Sequence, residues 1–137
     1  MNRVIKVLPL FLFILTGGLT ARAEEASNLE KGVLEAVPEK GIRLSEKAIA
    51  TLEIKTTSLN GNSDHKVPTG ALVFYQDNVG VYRLRGGWYK LIPITLENKS
   101  SQSSMIRSME LKSGDQIVVQ GVALLRVADM DAFGGEE

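Results

Sequence analysis

The sequence offers few side chains that could bind a metal ion. It has no cysteine and one histidine, His65. A single histidine without cysteine or paired acids does not make a zinc site, so we expect His65 to be a surface side chain beside a loop. Met105 and Met109 lie four residues apart. They would face one side of a strand, and thioethers bind copper(I) or silver. Alternatively, both methionines fill a β core or an interface.

No other pattern in the sequence points to catalysis. A Ser-His-acid arrangement would have to use His65, and no nucleophile-elbow sequence accompanies it. Gly86-Gly87 lies between two predicted strands, which indicates a turn rather than a phosphate-binding loop. The acidic residues are scattered, and none form an evident acid–base pair. We therefore predict a protein that is not an enzyme, with no cofactor and no metal site beyond the candidates Met105 and Met109.

The first 23 residues contain the three parts of a secretory signal peptide in order. Arg3 and Lys6 supply the positive charge, the apolar run 7–15 follows, and Ala21-Arg22-Ala23 supplies the small residues of a cleavage site. The apolar run is far shorter than the roughly 20 residues that span a bilayer. No cysteine is present for lipid attachment at the cleavage site. We therefore expect a periplasmic protein that is cleaved after Ala23 and not lipidated.

Length and charge restrict the class of the exported protein. Cleavage of residues 1–23 from the 137-residue chain leaves 114 residues, a length that suits one domain. The leader holds three of the 16 basic residues and none of the 16 acidic ones, so the remainder has a net charge of about −3. This balance disfavours nucleic acid as a partner, because nucleic-acid binding needs a concentrated basic face. Without cysteine, stability must come from a hydrophobic core.

Composition divides the remainder into three parts. Residues 24–40 are rich in glutamate and contain one proline, which predicts an acidic flexible tether. Residues 41–128 contain alternating apolar and polar positions, which predict a single mostly-β domain. Residues 129–137 are acidic and contain glycine, so we expect a tail that frays.

Within the domain, the pattern predicts one short helix and a series of strands. Ser45 can cap the helix, because its hydroxyl can accept from the first free amides. From Lys66 onward the pattern is almost purely β, with a hairpin closed at Gly86-Gly87. The final strand region runs over 117–127 and is interrupted at Gly121. The predicted fold is mainly β, either a small β-barrel or a β-roll, with one short helix.

Two stretches resemble the periplasmic adaptor subunits (membrane fusion proteins) of resistance-nodulation-division (RND) efflux systems, especially the heavy-metal branch. Residues 42–56 (IRLSEKAIATLEIKT) are similar to the strand, capped helix and strand with which those adaptors open. Residues 67–127 begin with VPTGALV, similar to the family's V-P-x-x-A-V-V, and include LKSGDQIVVQG at 111–121, similar to its G-L-K-x-G-D-x-V-V-x-x-G. The resemblance covers about 75 residues, and the order of the motifs is more specific than any one of them.

The sequence departs from the family between Leu59 and Val67. A full-length adaptor has a β-barrel domain, a lipoyl-like domain and a long helical hairpin between two such stretches, whereas this chain has one short loop. What remains looks like the membrane-proximal domain, which in full-length adaptors packs against the inner-membrane pump. The resemblance thus implies a non-catalytic subunit that docks on an efflux pump or a full-length adaptor, and that is peripheral to the membrane through protein contacts.

We expect the contact surface at two loops. They are the hairpin residues Gly86, Gly87, Trp88 and Tyr89 and the turn residues Leu111, Lys112, Gly114 and Asp115. Loop tips on a rigid scaffold are common binding sites, and an exposed aromatic ring can anchor a partner. The aromatic pair could equally cover the open end of a small barrel.

Two further interpretations remain open from the sequence. In the first, the protein is a metal-binding module that hands copper or silver to a pump, using Met105 and Met109 with Met130 or His65. In the second, it is a decayed or split adaptor whose remaining parts lie on a neighbouring reading frame.

Overall fold

The computed structural model describes residues 32–61 and 63–134, which form a mainly β domain. The predicted signal peptide, residues 1–23, lies outside the described residues. The strands are β1 (Val33–Val37), β2 (Gly41–Leu44), β3 (Lys55–Ser58), β4 (Asp64–Pro68), β5 (Val73–Tyr75), β6 (Asn78–Arg85), β7 (Trp88–Pro93), β8 (Thr95–Lys99), β9 (Ser103–Arg107) and β10 (Gln116–Gln120). The α-helices are α1 (Glu46–Thr51) and α2 (Val122–Ala132), and a 3₁₀ turn covers Thr69–Ala71.

The strands form two antiparallel sheets. The larger sheet has seven strands in the order β1-β2-β7-β6-β10-β3, and β5 pairs with the first half of β6. The smaller sheet has the order β4-β9-β8. No pairing among the described strands closes either sheet on itself, so the architecture is a β-roll rather than a barrel. The predicted mainly β class is confirmed.

Strands β6 and β7 supply side chains to two hydrophobic cores, one on each face of the larger sheet. Val81 pairs with Ile92, and Tyr82 pairs with Leu91. Directly opposed residues share a face and successive residues alternate, so these two pairs lie on opposite faces. The first core, beneath the smaller sheet, contains Leu59, Val67, Ala71, Leu72, Val81, Ile92, Ile106, Leu111 and Ile117. The second core, beneath the helices, contains Ile42, Leu44, Ile54, Val73, Tyr82, Tyr89, Val118 and Leu125.

The predicted short helix is α1, and its cap is as the sequence indicates. Ser45 has extended backbone angles, and its hydroxyl accepts from the Ala48 N–H at 3.0 Å. Glu46 lies in the first turn, where the helix dipole favours an acidic side chain.

Among the described residues, no helix has both the length and the apolar character needed to cross a membrane.

The strand predicted over 117–127 was wrong in its second half. β10 ends at Gln120, and Gly121 turns the chain with a φ of 79°, close to the Leu52 carbonyl. A helix follows, because the next apolar residues recur three or four positions apart and pack on the second core. These residues are Val122, Leu125, Ala128 and Ala132.

The predicted acidic tail, 129–137, is helical at its start. α2 continues to Ala132, and Asp129 is only 9% exposed. The Tyr82 hydroxyl donates to Asp129 Oδ2 at 2.7 Å, and Arg126 lies 3.5 Å from the same oxygen. The carboxylate therefore fastens the helix to the sheet, a role that acidic composition alone does not reveal.

The second half of the predicted tether, 24–40, contains a strand. β1 pairs with β2 and forms one edge of the larger sheet. The connecting turn ends at Gly41, whose φ of 101° is left-handed and where a Cβ would clash with the Tyr89 carbonyl oxygen. Only glycine fits this close approach of β2 to β7.

Candidate functional site

The two loops predicted to contact a partner lie side by side and are joined by one ion pair. Arg85 ends β6 directly before the hairpin turn. Its Nε donates to Asp115 Oδ1 at 3.0 Å and its Nη2 donates to Asp115 Oδ2 at 2.7 Å, which is a bidentate pair. The Lys112 N–H also donates to Asp115 Oδ2, at 2.8 Å. We call the joined surface of residues 85–88 and 112–115 the loop edge.

Both partners of this ion pair are held in their charged forms. The hydrogen bond to Asp115 raises the pKa of Arg85. Burial acts to raise the pKa of Asp115, but hydrogen bonds from Arg85 and from the Lys112 backbone outweigh it, so that pKa is lower than usual. The Asp115 side chain is 9% exposed and the Arg85 side chain is 43% exposed, so the pair reaches from the interior to the surface.

Backbone hydrogen bonds anchor the second loop to the body of the domain. The Leu59 N–H donates to the Asp115 carbonyl at 2.8 Å, and the Gly114 N–H donates to the Leu59 carbonyl at 3.0 Å. Leu111 is 3% exposed and belongs to the first core. As a contact residue Leu111 was therefore predicted wrongly, because its apolar side chain fixes the loop from below.

The hairpin exposes one of its two aromatic rings. Gly86 and Gly87 have φ values of 58° and 85°, which a two-residue turn of this kind requires. Successive strand residues alternate between faces, so Trp88 is half-buried on one face while Tyr89 is buried in the second core on the other. Burial raises the pKa of Tyr89. As a contact residue Tyr89 was predicted wrongly.

Cations flank the Trp88 ring. Lys40 Nζ lies 5.3 Å from the ring centroid and Arg43 Cζ lies 5.7 Å from it, both within the range of cation–π attraction.

Of the eight predicted contact residues, Leu111 and Tyr89 are buried and the other six are at least partly exposed. Gly86, Gly87, Lys112 and Gly114 are exposed, and Trp88 and Asp115 are half-buried.

Sequence reasoning missed the arginine that joins the loops. A two-residue turn at Gly86-Gly87 fixes the register of the hairpin, so that Arg85 opposes Trp88 and Arg83 opposes Lys90. This register was readable from the sequence. The contact between Arg85 and Asp115 was not, because the two residues are 30 positions apart in the chain.

The metal candidates Met105 and Met109 do not share a strand. β9 ends at Arg107, so Met109 lies beyond it and is 99% exposed, while Met105 on β9 is 36% exposed. The prediction that both methionines face one side of a strand was wrong. Within residues 32–61 and 63–134, no group of three histidine, cysteine or acidic side chains could hold a metal ion.

The further candidates His65 and Met130 lie apart from them. His65 is 1% exposed, and its Nδ1 lies 3.2 Å from the Asn60 carbonyl, so the expected surface position was wrong. It pairs with Ile106, whereas Met105 pairs with Lys66 on the opposite face of the smaller sheet. Met130 lies on α2, which covers the other face of the larger sheet. These four side chains therefore do not converge.

Comparison of the chain with protein-family models, with curated proteins and with solved structures finds no significant match. The resemblance to efflux adaptors therefore rests on the order and spacing of the sequence motifs.

Proposed function

We propose that this chain is a non-catalytic periplasmic subunit, similar to an adaptor, of an RND efflux transporter. It docks through the loop edge on the inner-membrane pump or on a full-length adaptor. The observation that carries the proposal is the Arg85–Asp115 pair, which holds the hairpin and the LKSGD turn together at 2.7 Å. Both loops belong to the stretch that resembles the adaptors.

The loop edge is suited to binding because it is ordered before a partner arrives. The hairpin turn is only two residues long, and the neighbouring turn is fixed by two backbone hydrogen bonds to Leu59. A preorganised surface loses less conformational entropy on association than a mobile loop does. The residues at its tips, Gly86, Gly87, Lys112 and Gly114, are exposed.

The alternative of a copper or silver module lacks comparable support among the described residues. Met105, Met109, Met130 and His65 occupy different faces and elements, as described above. Titration of the protein with copper(I) or silver tests this alternative directly, and micromolar binding would revive it.

A crosslinking pull-down from cell envelopes tests the proposed function. The tagged protein is expected to capture an RND pump or a full-length adaptor, identified by mass spectrometry. The Trp88→Ala variant should capture less of it, because the ring on the loop edge is lost. Lys47→Ala on the exposed side of α1 is the matched control and should capture the same amount as the wild type. Recovery that Trp88→Ala does not change, or recovery of neither component, would count against the proposal.

A further inference from the structure

One face of the β6–β7 hairpin has an unusual arrangement of positive charge. Arg83 lies directly opposite Lys90, and Arg85 lies directly opposite Trp88. Directly opposed residues share a face and alternate residues along a strand do so too, so all four side chains lie on one face. Like charges placed directly opposite each other destabilise a sheet. The Arg83–Lys90 pair therefore weakens the fold.

Neighbouring elements add two more cations to this face. Arg43 on β2 and Lys40 in the turn before it both lie within 6 Å of the Trp88 ring centroid. We call the resulting surface the basic face. It consists of Lys40, Arg43, Arg83, Arg85 and Lys90 around Trp88.

Carboxylates compensate only part of this charge. Arg43 pairs with Glu35 at 2.7 Å, and Arg85 pairs with Asp115 at 2.7 Å. The other three cations form no salt bridge with any carboxylate in the part of the chain that the structure describes. These three are Lys40, Arg83 and Lys90. The chain as a whole has equal numbers of basic and acidic residues, so this excess is local.

The Arg83 guanidinium lies in unfavourable surroundings. Its Nη1 donates to the Glu110 carbonyl at 3.3 Å, but its Nε is buried without a hydrogen-bond partner among the described residues. Burial and then the charge of Arg85 lower the pKa of Arg83. An incoming anion beside the guanidinium would relieve the repulsion.

We propose that the basic face binds an acidic segment of the docking partner, whose carboxylates pair with Lys40, Arg83 and Lys90. This inference rests on the proposed docking function and names the chemistry of the partner at that surface. Arg83 and Lys90 come from the neighbouring strands β6 and β7, and neighbouring strands are about 4.8 Å apart. A row of carboxylates on a protein surface matches this spacing, and complementary charge also speeds association.

An anionic lipid surface fits the basic face less well. Membrane-surface binding needs apolar side chains that enter the headgroup region. Trp88 is half-buried, which leaves little apolar surface on the basic face for insertion. The exposed large apolar residues of the described chain belong to other elements, for example Leu124 and Val127 on α2.

The protein contains its own reporter for this interaction, because Trp88 is the one tryptophan in the sequence. Titration of the protein with poly-L-glutamate should change the Trp88 emission, and the apparent affinity should fall as salt is added. The double variant Lys40→Gln, Lys90→Gln should bind about tenfold more weakly, since two unpaired cations are lost. The matched control is Lys47→Gln, Lys66→Gln, whose lysines are exposed on α1 and β4, and it should bind like the wild type.

Several results would overturn the inference. They are no response to poly-L-glutamate, an equal loss of affinity in the control variant, or a response to phosphatidylglycerol vesicles alone. Far-ultraviolet circular dichroism would confirm that each variant is folded. The envelope pull-down separates the two proposals. If a transporter component is captured but poly-L-glutamate does not bind, the docking function stands and the acidic partner is wrong. If poly-L-glutamate binds but no transporter component is captured, the acid-binding face stands without the adaptor function.

Discussion

Two aspartates fasten parts of this molecule to the larger sheet, and their surroundings differ. Asp129 on α2 accepts from the buried Tyr82 hydroxyl at 2.7 Å, beneath the helix. Asp115 accepts two hydrogen bonds from Arg85, whose side chain is 43% exposed. The two carboxylates are about equally buried, with side chains 12% exposed at Asp129 and 9% exposed at Asp115, so the difference lies in their partners. Tyr82 is fully buried and depends on its one acceptor, whereas the Arg85 guanidinium is in contact with water. The comparison indicates that Asp129 maintains the fold, whereas Asp115 maintains a surface.

The largest expected effect comes from breaking the buried contact. Asp129→Ala should lower the free energy of unfolding by about 2–3 kcal/mol, because it leaves the Tyr82 hydroxyl buried without an acceptor. Thermal unfolding followed by circular dichroism measures the loss, which we expect to exceed about 8 °C in melting temperature. Asp131→Ala, an exposed change on the same helix, is the control and should have little effect. Equal melting temperatures for Asp129→Ala and the wild type would refute the assigned role of Asp129.

Breaking the Arg85–Asp115 contact should destabilise the fold less than Asp129→Ala does, but it should loosen the loop edge. Arg85→Ala should lower the free energy of unfolding by about 1–2 kcal/mol, because a carboxylate that is 9% exposed loses two hydrogen bonds. It should also speed amide hydrogen exchange at Lys112 and Gly114, because the turn loses its link to the hairpin. Arg107→Ala removes a more exposed pair away from the loop edge, Arg107 with Asp64 at 2.8 Å, and is the control. If both variants leave exchange at the loop edge unchanged, the pair does not organise that surface.

Acid should release the loop edge at lower pH than an ordinary aspartate would allow. The folded pKa of Asp115 lies below the usual 3.8. The stability from this carboxylate is thus fully present above pH 3.8 and is lost as pH falls through the lower folded value. The protection factor of the Lys112 amide, which is its exchange rate relative to the intrinsic rate at each pH, should therefore fall only below pH 3.8. In Asp115→Asn, protection should be weaker at neutral pH and should lack this acid step. An acid step that persists in Asp115→Asn would assign it to another group.

The smallest expected effect is a gain in stability. Lys90→Thr removes the like charge opposite Arg83, so we expect it to raise the free energy of unfolding by about 0.5 kcal/mol. The same change should weaken the response to poly-L-glutamate. Lys66→Thr, on the exposed face of β4, should change neither quantity by a comparable amount. Urea unfolding measures the first effect. A destabilised Lys90→Thr protein would show that the basic face is not under electrostatic strain.

Local signals predicted the local structure of this chain. Ser45 caps α1 as its position before an amphipathic run indicates, and Gly86-Gly87 forms the hairpin turn. Both depend on a few neighbouring residues, which is why the sequence was sufficient. The six predicted contact residues that are not buried lie in the hairpin turn and in the turn 111–115, both of which the sequence predicted.

Tertiary contacts determined what the sequence could not predict. The sequence pattern of residues 122–127 predicted the end of a strand. These residues form a helix instead, because the second core has an apolar surface that an amphipathic helix covers. His65 has a polar side chain but faces the interior, because it pairs with Ile106 and lies on the same face of the smaller sheet. The contact between Arg85 and Asp115 likewise depends on β10 lying beside β6.

Site-specific crosslinking in cell envelopes tests most directly whether the chain docks on an efflux component through the loop edge. A photoreactive amino acid is placed at Lys112 on the loop edge or at Leu124, which is 54% exposed on α2. If the chain docks through the loop edge, position 112 crosslinks to an RND pump or a full-length adaptor and position 124 does not. Crosslinking to such a component from position 124 alone, or from neither position, would contradict it.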